Sequence, residues 1–220
     1  MAVNLVVISD PASPAAEAYR RLRVNLMSAA QEAPLQVLLV AAAGPDPDKS
    51  NTVANLAVTF AKVGRRVILA DCDLRHPALH TLFGLANDAG VTTVLDSDDA
   101  VELPLQPTEI PNLRVLTSGP AVVVPADSIA SPAMARLIVR LRQEADVVLL
   151  DAPPVVLATD AVELATQVDG VLLTVSAGRT KRDDAQQAVQ LLKRVGARLV
   201  GTALVNLPVD ADQRRYLAAS

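Results

Sequence analysis

Three short segments of this 220-residue chain carry residues that could handle phosphate and a divalent cation. The first runs Ala42-Ala43-Gly44-Pro45-Asp46-Pro47-Asp48-Lys49-Ser50-Asn51, after an apolar stretch and before a helical pattern. A loop at such a place can cradle phosphates with backbone N–H groups, with Lys49 reaching β/γ-phosphates and the Ser50 hydroxyl ligating Mg²⁺. Glycine is missing before the lysine, where Asp48 stands, and Asp46 lies two residues earlier; the same letters also suit a capped helix start. The second segment is Val67-Ile68-Leu69-Ala70-Asp71-Cys72-Asp73-Leu74-Arg75-His76-Pro77. Asp71 and Asp73, two apart, can face one side, hold Mg²⁺ and accept a hydroxyl proton. Alternatively Asp73 caps a helix while Arg75 stabilises Asp71. The third is Val147-Val148-Leu149-Leu150-Asp151, four apolar residues and then an acid, the pattern of a Walker B carboxylate that holds Mg²⁺.

These segments need rigid elements behind them. Apolar runs at Asn4–Ile8, Gln36–Ala41, Val67–Ala70, Val147–Leu150, Val171–Val175 and Leu199–Val205 are rich in Val and Leu with little alternation. That is how parallel strands covered on both faces read. Between them lie helical stripes. Val53, Leu56, Ala57, Phe60 and Val63 end at Gly64; Ala185, Ala188, Val189, Leu192 and Val195 end at Gly196. The rhythm predicts an α/β fold with a doubly wound, mainly parallel sheet, which presents ligand groups at its strands' carboxyl ends. Asp96–Pro111 and Ala121–Pro132 read as exposed connections. One domain over 1–220 is expected, with an N-terminal extension (1–12) and a short C-terminal tail (207–220).

Composition narrows the function. Apolar residues make up 51%, aromatics 2%, and the net charge is −4, which argues against disorder and against a nucleic-acid partner. The single cysteine, Cys72, excludes a disulfide framework and suits a reducing cytosol. No run of about 18 uncharged apolar residues is present, so a cytoplasmic protein is expected. His76 and His80 could share a helix face, but Pro77 between them argues for a turn rather than a metal site.

From Ser13 to Leu204 the chain resembles the bacterial tyrosine kinases (BY-kinases) of capsular and exopolysaccharide biosynthesis. The residues that carry the likeness are 13–23, 71–85, 149–155, Thr159-Asp160-Ala161 and 177–182, together with Pro45 in the loop. Related partitioning ATPases would place a signature lysine at position 44, which here is Gly44. The resemblance implies a P-loop NTPase-like three-layer sandwich that binds ATP and Mg²⁺. It implies cofactor binding by Lys49, Ser50, Asn51 and Asp151, a catalytic role for Lys49, Asp71 and Asp73, and Mg²⁺ ligation by Ser50, Asp71, Asp73 and Asp151. It further implies a homo-oligomer through Glu17, Arg20 and Arg23, for which an intrahelical ion pair is the plainer account. A membrane polysaccharide co-polymerase as partner would bring the protein to the inner face of the membrane.

Two departures bear on activity. Asp46 and Asp48 replace loop glycines. A Cβ where only glycine fits costs roughly 1–2 kcal/mol, and a carboxylate about 4–5 Å from phosphate adds roughly 3–4 kcal/mol at an effective dielectric near 20. Weak Mg-ATP binding and slow or lost kinase activity are therefore expected, unless the loop turns both acids outward. The alternatives are a non-catalytic scaffold or regulator, or a partitioning-type ATPase switch. The tail holds one tyrosine, Tyr216, the expected phosphate acceptor; Tyr19 is expected to be packed against its own helix or a partner.

Overall fold

A computed structural model describes residues 5–97 and 101–207. The strands are β1 (Val37–Ala42), β2 (Val67–Asp71), β3 (Gln106–Pro107), β4 (Leu113–Leu116), β5 (Val147–Ala152), β6 (Gly170–Ser176) and β7 (Leu199–Val205). They form one sheet in the order β3-β4-β2-β5-β1-β6-β7, parallel throughout except for the short antiparallel pairing of β3 with β4. The helices are α1 (Val6–Ser9), α2 (Pro14–Glu32), α3 (Lys49–Ala61), α4 (Leu79–Phe83), α5 (Val91–Leu95), α6 (Pro125–Ala130), α7 (Pro132–Glu144), α8 (Asp160–Ala165) and α9 (Arg182–Arg194).

Strand parity builds two cores. Leu39, Ala41, Ile68, Ala70, Val148 and Leu150 pack with Leu137, Leu141, Leu164 and Leu192 of the helices on one face. Leu38, Val40, Val67, Leu69 and Leu149 pack with Leu26, Val53, Leu56 and Phe60 on the other. This is the expected three-layer sandwich, because successive side chains of a strand leave on opposite faces. The helix after the phosphate-type loop is covered all round: every residue of α3 is buried except Asn51. Only part of that burial was visible as a stripe, since α3 lies between the sheet on one side and α1 and α2 on the other. Val63, counted in the stripe, lies past the helix end and is exposed.

Three expectations about elements are corrected. The run Asn4–Ile8 is no strand: Val6–Ser9 forms α1, and Asn4 lies outside the described residues. Leu5 and Val7 are buried against α3, and the backbone of Val7 is clasped from both sides. Its N–H donates to Asn55 Oδ1 (3.1 Å) and its carbonyl accepts from Lys62 Nζ (2.5 Å). Those two side chains satisfy polar backbone groups that a sheet edge would otherwise have to meet. Within Asp96–Pro111 lies β3, and within Ala121–Pro132 lies α6, anchored by the buried Ile129. The short β4 went unread because Arg114 interrupts its apolar letters; that side chain reaches outward to Glu144.

The clasp on Val7 makes a test. Asn55→Ala leaves a buried N–H without an acceptor and is expected to destabilise the fold by about 1–3 kcal/mol. Urea denaturation should show a lower midpoint with an unchanged m-value; an unchanged midpoint would show that the clasp contributes nothing.

Candidate functional site

The three chemical segments meet at the carboxyl edge of the sheet. Asp71 and Asp151 are register partners on adjacent parallel strands. Their parity matches that of Leu69 and Leu149, so both carboxylates leave toward the α3 layer. The loop from β1 delivers the start of α3 to the same place. Ala43 N–H continues the ladder to Thr174 O (2.8 Å), and the chain then turns so that Lys49 and Ser50 open the helix.

Both side chains converge on Asp151. Lys49 Nζ pairs with Asp151 Oδ1 and also lies 3.4 Å from Asp73 Oδ2. Ser50 Oγ donates to Asp151 Oδ2 at 2.5 Å. Asp71 accepts from Ala78 N (3.0 Å) and Leu79 N (2.9 Å) on Oδ2, while its Oδ1 is buried without a hydrogen-bond partner. Asp73 Oδ1 accepts from His76 N (3.1 Å). Lys49, Ser50, Asp71, Asp73 and Asp151 are all buried. Arg75 does not stabilise Asp71: its guanidinium makes a two-point pair with Asp160, at 2.9 and 3.0 Å.

Burial and crowding set the protonation. Burial pulls the Lys49 ammonium down, but Asp151 and Asp73 outweigh it and hold the group above its ordinary range. Burial pushes the Asp71 carboxyl up to about 7, and the neighbouring Asp151 charge pushes the same way against the two backbone N–H groups. Burial also raises Asp151, opposed by Lys49 and Ser50. Cys72, fully enclosed, is pushed well up by burial and then by the acids beside it, so it remains a thiol.

The donor set fits Mg²⁺ bound with a triphosphate. It consists of carboxylates and a hydroxyl, hard oxygen ligands, with the Asp71 Oδ1 lone pairs unused. Among the described residues no group of three His, Cys, Asp or Glu side chains is assembled as a cage. Asn51, expected at the phosphates, follows Ser50 in the first turn of α3 and is the exposed residue of that helix.

The loop itself differs from expectation in one respect. No residue from Ala42 to Lys49 has a positive φ, and Asp48 sits at φ −95°, ψ 4°. The strain expected from a Cβ at a glycine-only conformation is absent. Asp46 folds inward, its Oδ1 accepting from Asp48 N (3.0 Å) and its Oδ2 buried without a partner. Asp48 turns outward to Arg179 Nη1 (2.9 Å) and Asn206 Nδ2 (3.5 Å). Arg179 lies in the 177–182 segment that carries the resemblance, but its spacing assigns it no role; the unneutralised Asp48 was the signal that called for a cation. Tyr19 packs partly buried on its own chain; burial raises its pKa first, and Asp46 and Asp48 push the same way. Glu17 and Arg20 form the intrahelical pair (2.7 Å), and Arg20 also reaches Pro11 O. Arg23 leans on Met27 Sδ at 3.5 Å, with its Nε buried and unbonded. Tyr216 lies outside the described residues.

Comparison with known proteins gives the site a context. The ParA family model, described as NUBPL iron-transfer P-loop NTPase, matches residues 36–207. Tyrosine-protein kinase YwqD of Bacillus subtilis (strain 168) is 35% identical over 201 residues, 91% of this chain and 85% of the relative. Putative tyrosine-protein kinase CapB of Staphylococcus aureus is 30% identical over 212 residues, covering 96% and 93%. Among solved structures, the chimerical protein CapA2B2 superposes with a TM-score of 0.87 at 33% identity, covering 93% of this chain and 90% of that one.

The raised Asp71 pKa has a stability consequence. In the unfolded chain this carboxyl loses its proton near its ordinary value of 3.8; in the fold it keeps it to about 7. Between those values the folded state binds more protons, so this group's contribution to stability falls as pH rises through that window. Asp71→Asn keeps an acceptor for Ala78 and Leu79 and cannot ionise. In EDTA it should be more stable than the wild type at pH 8, by about 1–3 kcal/mol, with the gap closing toward pH 4. Parallel pH profiles for the two proteins would contradict this.

Proposed function

We propose, for a chain that belongs to the bacterial tyrosine-protein kinases and with them to the ParA-type P-loop NTPases, a working Mg-ATP-dependent kinase of capsule and exopolysaccharide biosynthesis that phosphorylates tyrosine. The observation that carries this reading is the convergence of Lys49, Ser50, Asp73 and Asp151 in one buried contact set, with Asp71 as register partner of Asp151. In it, Lys49 leaves Asp151 for the phosphates, a short move for an ammonium already at the loop. Ser50, Asp73 and Asp151 would hold Mg²⁺, which spreads negative charge away from the transferred group. Asp71 accepts the tyrosine hydroxyl proton on Oδ1, so that the phenolate oxygen forms the new bond to phosphorus as ADP departs. A carboxyl poised near neutrality suits that task.

The unstrained backbone of the loop and the outward turn of Asp48 favour retained nucleotide binding over a crippled loop. A scaffold with slow turnover draws its support from Asp46, whose buried carboxylate occupies the Asp48 N–H that a phosphate would use. A partitioning-type switch has less support. Gly44 stands where that family's signature lysine would be, and this is what counts against it.

Incubation with Mg-ATP followed by mass spectrometry decides among these. Phosphotyrosine on Tyr216 is expected from the wild type, and a loss of about 100-fold or more in rate from Asp71→Asn. ATP-dependent dimerisation with phosphate release and no phosphotyrosine would select the switch; failure to bind nucleotide would select the scaffold.

Self-association through α2 belongs to the same proposal, and so does a membrane-bound polysaccharide co-polymerase as partner at the inner face of the membrane. No described helix is long and apolar enough to cross a bilayer, which is consistent with recruitment through a partner. Glu17 and Arg20 already satisfy each other, and exposed pairs contribute only about 0–1 kcal/mol, so Arg23 and the exposed Val24 are the groups on this helix with most to gain from a neighbour. Light scattering should show a concentration-dependent oligomer that Arg20→Ala with Arg23→Ala disperses. A monomer at every concentration would remove the ring from the proposal.

A further inference from the structure

Asp48 brings a full negative charge to the N-cap of α3, next to the lysine of the phosphate loop. Two groups from the far half of the chain meet it. Arg179 donates through Nη1 at 2.9 Å, across 131 residues of sequence, and Asn206 Nδ2 lies 3.5 Å away. The pair itself is half exposed, at 53% for Arg179 and 45% for Asp48, but the turns that present both groups are bonded. Gly178, at φ +72°, turns the chain just after β6, where Arg179 N–H bonds Ser176 O (3.2 Å) and Thr180 N–H bonds the same oxygen (2.9 Å). Thr180 Oγ1 accepts from Ser176 N (2.9 Å), which closes the turn on itself. Asn206, at φ +59° after β7, donates to Ser176 Oγ at 2.9 Å. The ends of β6 and β7 and the loop after β1 therefore converge on one carboxylate.

We infer that Arg179 is a positioning residue for the nucleotide, one that makes an acid at the loop's lip compatible with a triphosphate. By holding the Asp48 carboxylate outward and countering its charge, it removes one of the loop's two carboxylates from the path of the phosphates; Asp46, folded inward on the Asp48 N–H, is the other and is not touched by Arg179. Without it, the carboxylate would keep only the neutral Asn206 amide and water beside it, and its charge would act on the same phosphates that Lys49 attracts. The role is conditional: Arg179 matters because position 48 is acidic. This rests on the reading of the loop as a Mg-ATP site, and it goes further by naming the residue that keeps the site usable.

Titration calorimetry with Mg-ATP on the wild type, Arg179→Ala, Asp48→Gly and the double variant tests it, with thermal midpoints as the folding control. Arg179→Ala alone should weaken binding about five-fold, and more steeply at low salt. In the Asp48→Gly background the same change should alter affinity by less than about three-fold. Arg179→Lys should recover most of the lost affinity. Equal losses in both backgrounds would overturn the inference, because Arg179 would then act on the nucleotide itself or on the fold. Tighter binding by Arg179→Ala would overturn it in the opposite sense, making the pair a lock. If no variant binds Mg-ATP, the nucleotide reading falls and the inference falls with it.

Discussion

A buried ammonium must be matched by charge, and the carboxyl edge of this sheet is organised around Lys49 meeting that demand at Asp151. Ser50 takes the second oxygen of the same carboxylate, so one acid fixes two consecutive residues at the start of α3. That contact ties the loop after β1 to the end of β5 and sets where the helix begins. The cluster has more acids than cations, and the excess is absorbed in two ways. Backbone N–H groups at the start of α4 meet Asp71, and the Asp71 carboxyl retains a proton up to about pH 7. The surplus of carboxylates, costly in the apo fold, is the reserve from which both metal ligation and proton acceptance can be drawn.

Much of this could be read from the residues. Five of the six apolar runs became strands, because a strand covered on both faces has to be apolar at nearly every position and short runs of Val and Leu have few other uses. The acids at their ends pointed to the site for the same reason, since Asp71 and Asp151 come directly after buried letters. What stayed hidden depended on distant partners. Leu5 and Val7 look like strand residues until Asn55 and Lys62 are seen to satisfy Val7's backbone. Arg75 stands two residues from Asp73 and four from Asp71, yet it pairs with Asp160, 85 residues away. Local spacing carries no information about such choices.

The loop shows how composition can mislead about conformation. Two acids where glycine is usual suggested strained backbone, but Pro45 and Pro47 favour negative φ on either side, and the chain takes a path any L-residue can follow. Electrostatics replaces sterics as the constraint. Asp46 turns in to bond the backbone and Asp48 turns out to a guanidinium, so neighbouring residues of the same kind end in opposite environments.

The side-by-side register of Asp71 and Asp151 limits how this protein can lengthen over generations. Strand parity is two, so inserting one residue into β2 or β5 ahead of its acid would turn that carboxylate to the opposite layer, away from Lys49. The connection from 101 to 111 rests on the cores through Leu103, Leu105 and Ile110 but gives the sheet only the two residues of β3, so strand parity does not govern its length. Gene-level insertions and deletions can accumulate there while the lengths of β2 and β5 stay locked, and reading-frame-preserving length change becomes a map of which segments carry the chemistry.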